Sequence, residues 1–126
     1  MKLTCLSAII ACTLLFSCKK DDAPSPLAGS WSGKLSKGTE APPVGSFYMK
    51  LGSDHSLKRL ESDGDIAATG TWKVTGDQFT AQYKYLDDPT IVVFLTGTYD
   101  SKTNAITGSW ENSYEVKGLW NAQKGK

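Results

Sequence analysis

The chain predicts an all-β fold: eight antiparallel strands that run up and down as a meander and close into a barrel. Three observations lead there. From Leu27 onward apolar residues recur at every second position, broken at intervals of roughly 8 to 12 residues by turn-forming residues, and no stretch carries helical periodicity. Every connection after the first is short, and short links force consecutive strands to lie antiparallel. Eight meandering strands with one apolar face leave two raw edges unless the first strand pairs with the last, so closure satisfies every ladder. A two-sheet sandwich is the alternative for the same pattern.

The elements follow in order. Residues 1–17 read as an export signal: Lys2 supplies a short positive region, Leu3 to Phe16 is nearly all apolar or small, and Ser17 is small. The apolar run is shorter than the about 20 residues a spanning helix needs, so it is expected to be cleaved rather than retained. Residues 18–26, CKKDDAPSP, hold two prolines and no apolar periodicity, and read as an extended tether. Residues 27–126 form the folded domain, with strands expected at 27–36, 45–52, 55–61, 66–74, 78–86, 90–100, 104–111 and 114–123. Asp63-Gly64 and Gly76-Asp77 suit tight hairpins, and Asp87-Asp88-Pro89 begins a turn.

Five glycines stand two residues before a large aromatic: Gly29 before Trp31, Gly70 before Trp72, Gly97 before Tyr99, Gly108 before Trp110 and Gly118 before Trp120. Strand side chains alternate, so each glycine shares a face with its aromatic and leaves room there for a neighbouring strand's ring. The meander also assigns ends. Trp31, Trp72, Tyr99 and Trp120 fall toward the end where the first strand begins and are expected to plug it. At the far end the inward residues are Leu35, Phe47, Tyr83, Tyr85, Trp110 and Tyr114, an apolar ring with hydroxyl and indole donors. These six are the candidate ligand-binding residues, because a small-molecule pocket combines apolar walls with a few polar groups. The segment from Lys37 to Val44 joins the first two strands at that end and is expected to flap over the mouth. The same end gathers Glu40, Glu61, Asp63, Asp65, Asp87, Asp88, Glu111 and Glu115 against Lys37, Arg59 and Lys84.

Two strands strain the pattern. In Ser56-Leu57-Lys58-Arg59-Leu60 both leucines turn inward only if a bulge interrupts the strand, and a bulge is the expectation. Without it, Arg59, the single arginine, faces inward with Leu57 and can anchor an anionic group. The run from Ile91 to Leu95 is apolar on both faces, which places Val92 and Phe94 on the outer wall as a candidate protein contact.

Composition excludes several classes. The chain has 14 basic and 13 acidic residues, and setting aside Lys2 leaves the rest in balance, with no basic stripe of the kind nucleic acid requires. The one histidine, His55, lies in a turn, and Cys5 and Cys12 fall inside the signal, so Cys18 is the sole thiol of the processed chain. No spacing fits a metal triad, a phosphate-cradling loop or a nucleophile elbow. The expectation is a protein that is not an enzyme, with no metal and no cofactor.

Two resemblances sharpen this. Leu15-Phe16-Ser17-Cys18 resembles the lipobox of bacterial lipoproteins, which implies acylation of Cys18 and a membrane anchor through that lipid. The following Lys19-Lys20-Asp21-Asp22 is similar to the acidic tract of surface lipoproteins in Bacteroidota-type Gram-negative bacteria, which implies an outer-membrane protein exposed at the cell surface. Gly29-Ser30-Trp31 resembles the G-x-W signature of lipocalins, and the segments around Tyr99 and Trp110 are similar to avidin-type barrels. The resemblance implies an eight-stranded lipocalin-like barrel with a ligand cavity at its mouth. No arginine near the C-terminus stands ready to stack on Trp31, and biotin binding does not carry over. The function expected is a lipid-anchored barrel binding a small apolar or aromatic ligand. The alternative is a filled barrel that acts as an interaction or inhibitor module.

Overall fold

The computed structural model describes residues 26–125. The signal of residues 1–17, Cys18 and all of the tether but Pro26 lie outside the described residues. The rest forms eight strands and no helix: β1 (Gly29–Leu35), β2 (Gly45–Leu51), β3 (Ser56–Leu60), β4 (Ile66–Thr75), β5 (Gln78–Tyr85), β6 (Val92–Asp100), β7 (Ala105–Asn112) and β8 (Lys117–Lys124). Each pairs antiparallel with the next in one closed barrel. Closure runs from Trp31 opposite Lys124 to Leu35 opposite Trp120, so no edge is left for another chain to extend.

The turns obey the residues that occupy them. Thr75 pairs with Gln78 and leaves the two-residue link Gly76-Asp77, in which Gly76 takes φ 64°. A positive φ at the first central position defines the mirror-image turn whose twist matches that of the strands, and glycine adopts it without a steric penalty. β8 begins three residues later than expected, which leaves Tyr114 in the turn from β7 to β8 rather than in a strand.

β3 corrects an expectation. Its pairing with β2 is unbroken from Leu51 opposite Leu57 to Tyr48 opposite Leu60. The irregularity lies across the other ladder, where Arg59 faces Ala68 but Leu60 faces Ile66, so the extra residue is Ala67 of β4. Alternation in β3 therefore holds, with Leu57 and Arg59 inward and Lys58 and Leu60 outward. Leu60 needs no place in the core because the registers flank it with Tyr48 and Ile66 on the outer wall.

Inside, the large rings meet one another. Trp31 lies edge-on to Tyr99 at 6.3 Å, Trp72 stacks on Phe79 at 6.2 Å, and Trp120 contacts both Phe79 and Phe47. Trp31, Trp72 and Trp120 are at most 3% exposed. Glycines make room for this, though not only in the expected way. At Gly70 and Gly108 an added Cβ would overlap the carbonyls of Gln82 and Thr96, so the space is taken by the neighbouring backbone in a strongly coiled sheet. At Gly118 it is shared by the Ser36 carbonyl and the Trp110 indole.

Candidate functional site

The base and the mouth are built differently. At the base, indole donors are tied to the adjacent chain: Trp31 Nε1 donates to the Leu27 carbonyl at 2.8 Å and Trp72 Nε1 to the Gly52 carbonyl at 3.1 Å, while the Tyr99 hydroxyl donates to Asn104. His55 rests on Trp72 at 5.1 Å between ring centres. This end is stoppered as expected, with one refinement. Trp120 sits deeper, between Phe47 and Phe79, and its Nε1 is shared by the carbonyls of Thr96 and Ser109.

At the mouth a cup of about 210 Å³ opens inside the barrel. Leu35, Ile91, Val93 and Trp110 form its apolar wall, and Tyr83 and Tyr85 bring two phenols. Lys37, Arg59 and Asn112 complete the lining. Of the six residues expected here, Leu35, Tyr83, Tyr85 and Trp110 do line it. Phe47 is fully buried one layer below, where its ring lies 4.6 Å under the Arg59 guanidinium carbon as a floor. Tyr114 does not join the ring: it is 60% exposed on its turn and its hydroxyl pairs with that of Thr90 at 2.8 Å. The expected flap is likewise reduced. Ser36 and Gly38 bond to Leu119 and Lys117 of β8, and of residues 37–44 only Lys37 reaches the cup.

Arg59 is the residue that dominates the geometry. Its Nη1 donates to the Tyr83 hydroxyl at 2.9 Å and to the Tyr85 hydroxyl at 3.4 Å. Its Nε is buried and finds no acceptor. No carboxylate among the described residues pairs with it. A buried donor left unmet costs roughly 1–3 kcal/mol, so this arrangement is not one that packing alone would select. Burial also raises the pKa of Tyr83, against the opposing charge of Arg59, so that its phenol stays neutral. A second hollow of about 540 Å³ adjoins the cup across the rim of β2 to β5 and shares Arg59 and Tyr85 with it. Glu61 and Asp87 border this outer groove but not the cup.

Two of the rim's acidic residues are occupied within their own turns. Asp63 accepts from the Asp65 amide, and Asp88 accepts from both the amide and the hydroxyl of Thr90, the ordinary work of aspartate in turns. Among the described residues no cluster of His, Cys, Asp and Glu is arranged to hold a metal. On the outer wall Phe94 is 43% exposed beside half-buried Val92, as the two-faced apolar run of β6 predicts.

No protein-family model matches the chain, and no curated protein matches it. Among solved structures it is similar to a redesigned beta barrel, at 21% identity and a TM-score of 0.57 over 79% of this chain and 92% of that one. That likeness bears on the fold alone.

Proposed function

We propose that this chain is a lipid-anchored protein of the bacterial outer membrane whose barrel binds a small apolar or aromatic ligand in the cup at its mouth. The observation that carries the reading is the cup itself: an apolar-walled recess beneath an open rim, with hydrogen-bonding groups converging on one side. The anchor rests on the lipobox-like Leu15-Phe16-Ser17-Cys18, and the absence of any catalytic constellation in the sequence favours binding over chemistry. An acylated chain would stay at the membrane, because each buried CH₂ contributes about 0.8 kcal/mol and a lipoprotein cysteine carries more than one chain.

Trp110 borders the cup, so its fluorescence reports occupancy. Titration with a panel of fatty acids, sterols, haem and aromatic metabolites should change that emission for at least one member. A flat response across the whole panel refutes the reading. For the anchor, Cys18→Ser should move the chain from the membrane fraction to the soluble one. An unchanged distribution refutes the lipid.

A second reading has its own support. The barrel below the cup is filled by buried rings, and Phe94 with Val92 offers an apolar spot on the outer wall. In that reading the chain is an interaction or inhibitor module, and crosslinking from Phe94 in intact envelopes would capture a protein partner.

A further inference from the structure

We infer that the cup selects a small organic anion: a carboxylate on a compact aromatic or short aliphatic body, with Arg59 receiving the charge. The inference rests on the ligand-cup reading above and names the class of molecule that fits it.

The guanidinium of Arg59 has five N–H donors and no acceptor. Two are engaged by the phenols of Tyr83 and Tyr85, both from Nη1. Among the described residues the remaining donors, on Nε and Nη2, meet no protein acceptor, and the buried Nε is an orphan. Arg59 also lines both the cup and the outer groove, so its charge is reached from the mouth. A cation drawn into a barrel is ordinarily paired, and this half-buried one is held by neutral oxygens and the ring faces of Phe47 and Tyr83 alone. The missing partner is an anion that reaches the free Nη2 donors, the part of the guanidinium that is neither bonded to the phenols nor closed off like Nε.

The surroundings support that sign. The cup's two charged residues, Arg59 and Lys37, are both cationic, and the carboxylates of Glu61 and Asp87 border the outer groove instead. Tyr83 and Tyr85 both accept from Arg59, and the hydroxyl of Tyr85, at the mouth, can donate to a ligand oxygen. The wall fixes the body. Leu35, Ile91, Val93 and Trp110 surround a space of about 210 Å³, equal to about seven water volumes and below the about 300–1,000 Å³ of drug-sized sites. One ring or a short chain fits within it.

The test compares paired probes on the full chain by isothermal titration. Phenylacetate and hexanoate are set against their primary amides, which keep shape and lose charge. The acids are expected to bind at least tenfold more tightly than the amides. Arg59→Met, which keeps an unbranched apolar side chain, is expected to erase that preference while still binding the amides. Equal binding of acids and amides overturns the anion inference and leaves the ligand cup standing. Binding of neither overturns the anion inference, and the ligand cup is then decided by the wider fluorescence panel. An acid preference that survives in Arg59→Met overturns the role of Arg59.

Discussion

Trp72 at the base and Trp110 at the mouth make the same bond, an indole N–H to a carbonyl of a neighbouring segment, at 3.1 and 2.8 Å. Around Trp72 the space is closed by rings, Phe79 stacked on one side and His55 on another. Around Trp110 it stays open. The difference is the residue at the centre of each end. Rings pack on rings to near-crystalline density, whereas a guanidinium lying on Phe47 needs acceptors around its edge and cannot be buried by apolar contact alone. One end of the barrel is thus specialised for stability and the other keeps a polar demand that the described residues do not meet.

The comparison can be broken at the base first. Trp72→Ala should lower unfolding stability by roughly 3–5 kcal/mol in urea titrations, because it removes a large buried ring from a sealed layer. With total stabilities of about 5–15 kcal/mol typical, near-wild-type behaviour would mean the base is not sealed. Gly118→Ala should cost about 1–3 kcal/mol or more, since the added methyl collides with the Ser36 carbonyl and the Trp110 indole. An unaffected Gly118→Ala protein would show that β1 and β8 meet differently from the register found.

At the mouth the effect shrinks. Arg59→Met should change stability by no more than about 1 kcal/mol in either direction, because deleting a buried donor without an acceptor is offset by the lost bonds to Tyr83 and Tyr85. A loss as large as that of Trp72→Ala would make Arg59 a structural keystone and erase the contrast between the ends. The smallest effect concerns pH. The folded pKa of Tyr83 is raised by burial above its ordinary value of 10.0, so the unfolded chain releases that proton first. Its contribution to stability is present below about pH 10 and declines as pH rises above it. Tyr83→Phe should therefore lose less stability than the parent between neutral pH and strongly alkaline pH. Parallel curves would contradict the burial of that phenol.

Most of the barrel was legible because alternation, turn residues and the need to remove edges all point one way. Eight strands, the meander, the closed seam and the buried Trp31, Trp72 and Trp120 follow from them. The mouth was less legible. Tyr114 satisfies the inward alternation if β8 begins at residue 114, but Glu115 adopts φ 66° and the Asn112 side chain caps the turn, so the strand starts later. Arg59 was harder still. An arginine between two leucines looks like the residue to turn outward, and only the registers on both sides of β3 show that the extra residue sits in β4. The outward company of Leu60, namely Tyr48 and Ile66, comes from strands distant in sequence. No local pattern announces it.

The chain's four tryptophans make a direct test, because each indole N–H is bonded to an identified carbonyl and only Trp110 borders the cup. In a ¹⁵N-labelled sample the four indole signals can be followed while phenylacetate is added. The account predicts that the Trp110 signal shifts and saturates while those of Trp31 and Trp72 stay in place. Movement of the base signals with a stationary Trp110, or no movement at all, would contradict it.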